Sequence, residues 1–186
     1  MIVCIIAVVS FAPMTETSIS AQLAKYGLPF TPTQSNLETA EIHYYLQQKF
    51  RVLIHPDQTG GSFGLLHMEE KRGMEPPPHI HTREDEVYMI QSGAIRYTVS
   101  GKQYECAAGD VMFLPRNCVH SFEVITPTSD VLNLIIPGNF INYFLEMSAL
   151  HANTETGLSK EILEKLVATA TKYGIQFPRQ DKPNQQ

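Results

Sequence analysis

The sequence predicts one mainly β domain, an antiparallel sandwich or barrel flanked by short α-helices. Three observations point there. Between residues 42 and 136, short runs rich in β-branched and aromatic residues recur: YYLQQKFRVLI, SFGLLHM, EVYMI, AIRYTV, VMFL, HSFEVI and VLNLII. Turn signals at Gly60-Gly61, Ser92-Gly93, Ser100-Gly101 and Ala108-Gly109 separate them, a spacing typical of strands that close on one another. Helical periodicity is confined to the two flanks, and the length of 186 residues is that of a single domain. The expected organisation is an apolar segment and short helix over 1–40, a barrel over 41–136, and a helical tail over 137–186 that packs on the barrel.

In chain order, the segment from Ile2 to Ala12 (IVCIIAVVSFA) is the most apolar stretch, but it is far shorter than the roughly 20 residues that span a bilayer. As a secretory signal it lacks a basic start, and Pro13 follows directly where cleavage would fall. It reads either as an upstream extension of a start at Met14 or as a β-branched strand packed on the rest of the protein. An exposed strand this apolar invites pairing with another chain, which makes a homodimer the expected assembly. Ser18 to Tyr26 reads as a short helix closed by Gly27, with Pro29 and Pro32 beyond it. After the β-rich region, Phe140, Phe144 and Met147 share one helical face. Ile162, Leu166 and Tyr173 share another, in a second helix that Ser159 caps and Gly174 ends. KYGLPF (Lys25 to Phe30) and KYGIQF (Lys172 to Phe177) read as two similar helix ends rather than as a duplication.

Composition excludes several classes of function. With 43% hydrophobic and 18% charged residues the chain can bury a real core, so disorder is not expected. The net charge of -5 offers no basic surface to a phosphate backbone, and nucleic acid is not an expected partner. Cys4, Cys106 and Cys118 form neither a disulfide framework nor a Cys-x-x-Cys pair, which fits a reducing, cytoplasmic setting with no membrane partner. The seven histidines direct attention to imidazole and carboxylate chemistry.

His79 and His81 flank Ile80, so in a strand they point to the same face with their roots about 7 Å apart. Two imidazoles can then converge on one ion. Pro76, Pro77 and Pro78 stiffen the approach. Glu86 opens the next β run, and a carboxylate returning there can complete a facial set of two histidines and one carboxylate. His120, at the start of HSFEVI, is the best candidate for a fourth ligand, although spacing alone leaves its reach open. His43, His55, His67 and His151 read as ordinary hydrogen-bonded or surface residues.

The run Gly73, five residues, His79-x-His81, four residues, Glu86, six residues, Gly93 resembles the first conserved motif of the cupin superfamily at each defining position. Gly109, five residues, Pro115, then His120 resembles the second motif. Thr59-Gly60-Gly61, PPPHIHTREDEVY and the tail ending in Tyr173-Gly174-Ile175 extend the likeness, from about residue 42 onwards, to single-domain quercetin dioxygenase-like cupins. There are two departures. Asn117 stands where the second motif usually has glycine, and asparagine tolerates the left-handed conformation well. Val124 stands where an asparagine is expected, which removes a polar group but no ligand.

The resemblance implies a double-stranded β-helix, a jelly-roll barrel whose interior holds a metal. His79, His81, Glu86 and His120 would hold one divalent transition metal ion: Fe, Mn, Ni, Cu or Zn. Strand alternation adds Tyr88 and Ile90 to the face of Glu86, and Phe122 to that of His120, as a candidate substrate-pocket wall. In the resembled enzymes the glutamate ligand also takes a proton from the substrate hydroxyl, so Glu86 is the catalytic candidate. The implied function is a metal-dependent dioxygenase taking dioxygen and a small enol, phenol or flavonol-like substrate. The alternatives are a non-catalytic cupin that binds a small molecule or metal, and a metal-dependent isomerase or decarboxylase.

Overall fold

A computed structural model describes residues 32–151 and 160–178. The apolar segment, the helix from Ser18 to Tyr26, the first Lys-Tyr-Gly motif and the Ser159 cap lie outside them. Eleven strands form among the described residues: β1 (His43–Tyr45), β2 (Gln48–Ile54), β3 (Gly64–Lys71), β4 (Ile80–His81), β5 (Asp85–Ser92), β6 (Ala94–Val99), β7 (Lys102–Ala107), β8 (Val111–Leu114), β9 (His120–Val124), β10 (Thr128–Ile136) and β11 (Ile175–Gln176). Two helices follow β10: α1 (Ile141–His151) and α2 (Lys160–Lys172).

The strands pair antiparallel in a six-stranded sheet of order β1-β2-β3-β10-β5-β8, a three-stranded sheet β7-β6-β9, and the pair β11-β4. This is the mainly β, antiparallel arrangement that the turn spacing predicts, in the jelly-roll form that the resemblance implies. Period-two alternation sets the inward face. In β5, Glu86, Tyr88 and Ile90 are buried while Val87 and Met89 are only half-buried. Phe50, Leu66, Ile95, Tyr97, Leu114 and Ile135 fill the core beside them. Each such side chain contributes about 1.5–3 kcal/mol by leaving water.

Five strands differ from the sequence expectation. The run YYLQQKFRVLI is two strands, β1 and β2, joined at Leu46 and Gln47, whose φ values are +48° and +64°. A two-residue hairpin with both residues left-handed follows the strand twist, and here it is made without glycine or asparagine. β7 has no apolar alternation to announce it, because five of its six residues are exposed. It forms because β6 offers an edge, with Tyr97 opposite Tyr104. β4 and β11 are two residues each, too short to carry a period.

The tail covers one end of the barrel. Phe144 of α1 meets Tyr45 edge-on at 5.2 Å, and Ser148 Oγ accepts from the Tyr44 amide. Phe140, Phe144 and Met147 are buried together, as their spacing predicts. Lys172 in α2 reaches Glu146 in α1 at 2.7 Å. Gly174, with φ +91°, then ends the helix and turns the chain so that Ile175 pairs with His81. The Thr82 amide and hydroxyl both donate to the Gly174 carbonyl, at 3.1 and 2.7 Å.

Candidate metal centre

Backbone pairing places the four side chains. His79 and His120 face one another in an antiparallel bridge, exchanging amide-to-carbonyl bonds of 3.0 and 2.9 Å. His81 is held from two sides, by β11 and by the Asn117 amide, which donates to its carbonyl at 2.7 Å. Asn117 has φ +62°, the left-handed turn its side chain tolerates. Glu86 enters from β5, locked between β10 and β8. The motif glycine Gly93 has φ +76°, and a Cβ there would lie 2.5 Å from the Thr128 carbonyl oxygen.

His79, His81, Glu86 and His120 therefore converge, each at most 9% exposed. One nitrogen or oxygen from each lies within 4.8 Å of the others. Glu86 Oε2 stands 3.3 Å from His81 Nε2 and 3.7 Å from His120 Nε2. The opposite ring nitrogens face acceptors: His79 Nδ1 the Pro77 carbonyl at 2.8 Å, His120 Nδ1 the Cys118 carbonyl at 3.1 Å, and His81 Nδ1 the Glu84 carboxylate at 3.6 Å. For His79 and His120 the carbonyl at Nδ1 fixes the tautomer that presents Nε2 as a lone pair, the usual support of a metal-bound imidazole, whereas His81 Nδ1 is too far from Glu84 for a hydrogen bond.

Electrostatics favour the ligand forms of His79, His120 and Glu86, while His81 must give up a proton to bind a metal. Burial pushes His79 down to about 4, helped by His120 and His81. Burial also lowers His120. For His81 burial acts downward, but the Glu86 and Glu84 carboxylates outweigh it and raise the group. Burial alone would raise Glu86, yet His81, His120 and a hydrogen bond from Asn133 together hold it below the ordinary carboxylate range. His120 Nε2 is buried with no hydrogen-bond partner, an orphan that a metal ion at the cluster would satisfy. Three neutral nitrogens and one carboxylate suit a divalent first-row transition metal. The residues present fit such an ion.

Residues 66–136 match the Cupin domain family. Over that stretch the chain resembles the cupin superfamily, as its two motifs imply. Its curated relatives include quercetin 2,3-dioxygenase of Bacillus subtilis (strain 168), 25% identical over 142 residues that make up 75% of this chain and 42% of that protein. Quercetin 2,3-dioxygenase of Aspergillus japonicus is 25% identical over 104 residues, 52% of this chain and 30% of that one. The chain thus spans less than half the length of either relative. Among solved structures, KdgF from Halomonas sp. superposes with a TM-score of 0.52 at 19% identity, covering 57% of this chain and 94% of that one; at that identity the likeness concerns the fold.

Above the four-residue cluster the barrel opens into a cavity of about 670 Å³ between its walls, open mouth included. Only about 50 Å³ of it is wide enough for the centre of a water molecule. Tyr88 and Phe122 line it; Ile90 does not, because it sits one step further along β5 among core residues and is 2% exposed. The tail supplies Phe140, Tyr143, Phe144, Leu166, Ile175 and Phe177 to the wall. The Tyr45 and Tyr143 hydroxyls pair at 2.8 Å. Of the other histidines, His43 stacks on Phe50, His55 caps a short turn through the Asp57 amide, and His67 lies between Arg51 and Asp130. None of these three joins the cluster.

Three polar residues of the site escape the motif pattern. Asn133, fully buried in β10, donates to Glu86 Oε1 at 2.8 Å; the lone asparagine within VLNLII was the available signal. Glu84, 3% exposed, backs His81, and nothing in the charged run Arg83 to Glu86 distinguishes it from a solvated residue. Glu70 lines the cavity and is 1% exposed. Its parity with Leu66 and Met68 in β3 was the sign that it points inward.

Proposed function

We propose that this cupin is a metal-dependent dioxygenase acting on a small enol, phenol or flavonol-like compound, with His79, His81, Glu86 and His120 as ligands of one divalent metal ion. The observation that carries this reading is the combination of the four-residue centre with a wall of aromatic side chains. Among the described lining residues there is no lysine or arginine. A substrate carboxylate would then have no side-chain counter-charge, which favours a neutral hydroxylated compound over the acids that a decarboxylase takes.

A bound transition metal supplies Lewis acidity and redox chemistry at the cluster. The chain's own residues do the rest. Glu86 Oε1 is held by Asn133, so its Oε2 is the oxygen turned towards the histidines. Being ionised, Glu86 is the group able to accept the proton of a substrate hydroxyl brought against the centre. Tyr88, Phe122 and Phe140 offer flat apolar faces to an aromatic ring and keep water out of the narrow interior. The strand pair β4-β11 ties the cover supplied by the tail to the ligand strand itself.

The reading is tested by oxygen uptake with flavonols and diketones, using protein loaded in turn with Fe, Mn, Ni, Cu or Co. Uptake above background with a matching cleaved product supports it. Background rates with all metals, or turnover of any of these compounds without oxygen, defeat it.

A further inference from the structure

The cavity contains a second carboxyl that the metal centre leaves unused. Glu70 stands opposite Ser129 in β10 and lines the same space as the four candidate ligands. It makes no ion pair with a lysine or arginine among the described residues. Its polar neighbour is Gln48, whose Oε1 accepts from the Lys71 amide at 2.5 Å and whose Nε2 donates to the Met74 carbonyl at 3.1 Å. Gln48 is thus fastened to the backbone on both sides, beside Glu70. Glu75, whose charge also reaches Glu70, is committed to the amides of Gly73 and Val124, at 2.9 Å each.

A carboxyl so placed is costly where leucine would pack. Burial first, then the charges of Glu75 and Glu86, push it up to about 8, so near neutrality it is mainly the uncharged acid. In that form it both donates and accepts a hydrogen bond.

We propose that Glu70 is a second recognition point of the cavity, binding a hydroxyl of an aromatic ligand whose other oxygen lies at the His79–His81–Glu86–His120 centre. The inference rests on the functional reading above and narrows it to compounds with polar groups at both ends.

The test uses zinc-loaded protein, because zinc is redox-inert and allows binding to be read without turnover. Quercetin and 3-hydroxyflavone share the flavonol oxygens, but only quercetin carries further ring hydroxyls. Their affinities are measured from the absorbance change of each flavonol for the wild type, Glu70→Gln and Glu70→Leu, with zinc content and melting temperature checked for each. The wild type is expected to prefer quercetin by about threefold to tenfold, the worth of one hydrogen bond. Glu70→Leu is expected to abolish the preference while zinc stays bound, and Glu70→Gln to keep part of it. A preference unchanged in folded Glu70→Leu overturns the proposal, as does failure of the wild type to bind either flavonol. Flavonol binding without oxygen uptake under any metal would defeat the dioxygenase reading and leave the role of Glu70 standing.

Discussion

Replacing Asn133 by leucine separates the support of the metal centre from its ligands. Asn133 is completely buried, and its Nδ2 holds Glu86 Oε1 at 2.8 Å. Its own Oδ1 is buried without a partner, so leucine removes one hydrogen bond and one unsatisfied acceptor while filling similar space. The bond lost is one to a buried carboxylate, worth about 1.5–3 kcal/mol. Without it Glu86 turns more freely, which weakens it as a ligand. The expected result is a loss of about tenfold to a hundredfold in metal affinity, the range for groups that orient ligands. Those factors correspond to about 1.4–2.7 kcal/mol, in agreement with the hydrogen-bond figure. Competition with a chelating dye at pH 7.5, using zinc and then manganese, measures it. A zinc affinity within twofold of wild type in folded Asn133→Leu would refute the claim that Asn133 holds the carboxylate for the ion.

Three further outcomes are expected. Metal affinity falls as pH drops, beginning above the ordinary histidine value because the proton on His81 must leave, by about tenfold per pH unit for each proton displaced; equal affinity at pH 8 and pH 5 in the same titration would contradict this. Glu70→Gln alters the pH dependence of stability. The folded-state value of about 8 lies above the ordinary 4.5, so between these values the folded chain holds a proton that the unfolded chain releases. Wild-type stability therefore declines as pH rises through that window, and the variant gains relative to wild type on going from pH 5 to pH 9. The gain is on the order of 2–4 kcal/mol in denaturant unfolding, and a pH-independent difference would count against it. Gln47→Gly, at the exposed left-handed position of the β1-β2 turn, relieves about 1 kcal/mol of backbone cost and raises the melting temperature by about 2–4 °C; a lower melting temperature would show that the turn is not strained.

The barrel and its four ligand candidates were legible because each leaves a short-range mark. Glycine and asparagine punctuate the turns, and the likeness of the Gly73–Gly93 and Gly109–His120 intervals to the two motifs implies the ligand set, which spacing alone left open at His120. The parity rule placed Glu86 and Tyr88 on one face but did not say how far along β5 the cavity ends, so Ile90 falls in the core rather than on its wall. The β1-β2 hairpin was hidden because Leu46 and Gln47 carry no turn chemistry and interrupt no apolar run. β7 was hidden because its partner, not its composition, makes it a strand. Glu84 looks like any other member of a charged run, and Asn133 takes its role from Glu86 across β10 and β5, a pairing with no local period. No helix among the described residues is long and apolar enough to cross a membrane.

The account rests on four side chains holding one ion, and metal content measures that directly. Wild type, His79→Ala, His120→Ala and His67→Ala are purified without chelator, given equal divalent metal, freed of excess and analysed for metal per chain. The account expects about one ion per chain in the wild type and in His67→Ala, and a small fraction of that in folded His79→Ala and His120→Ala. Equal metal content in all four proteins would contradict it.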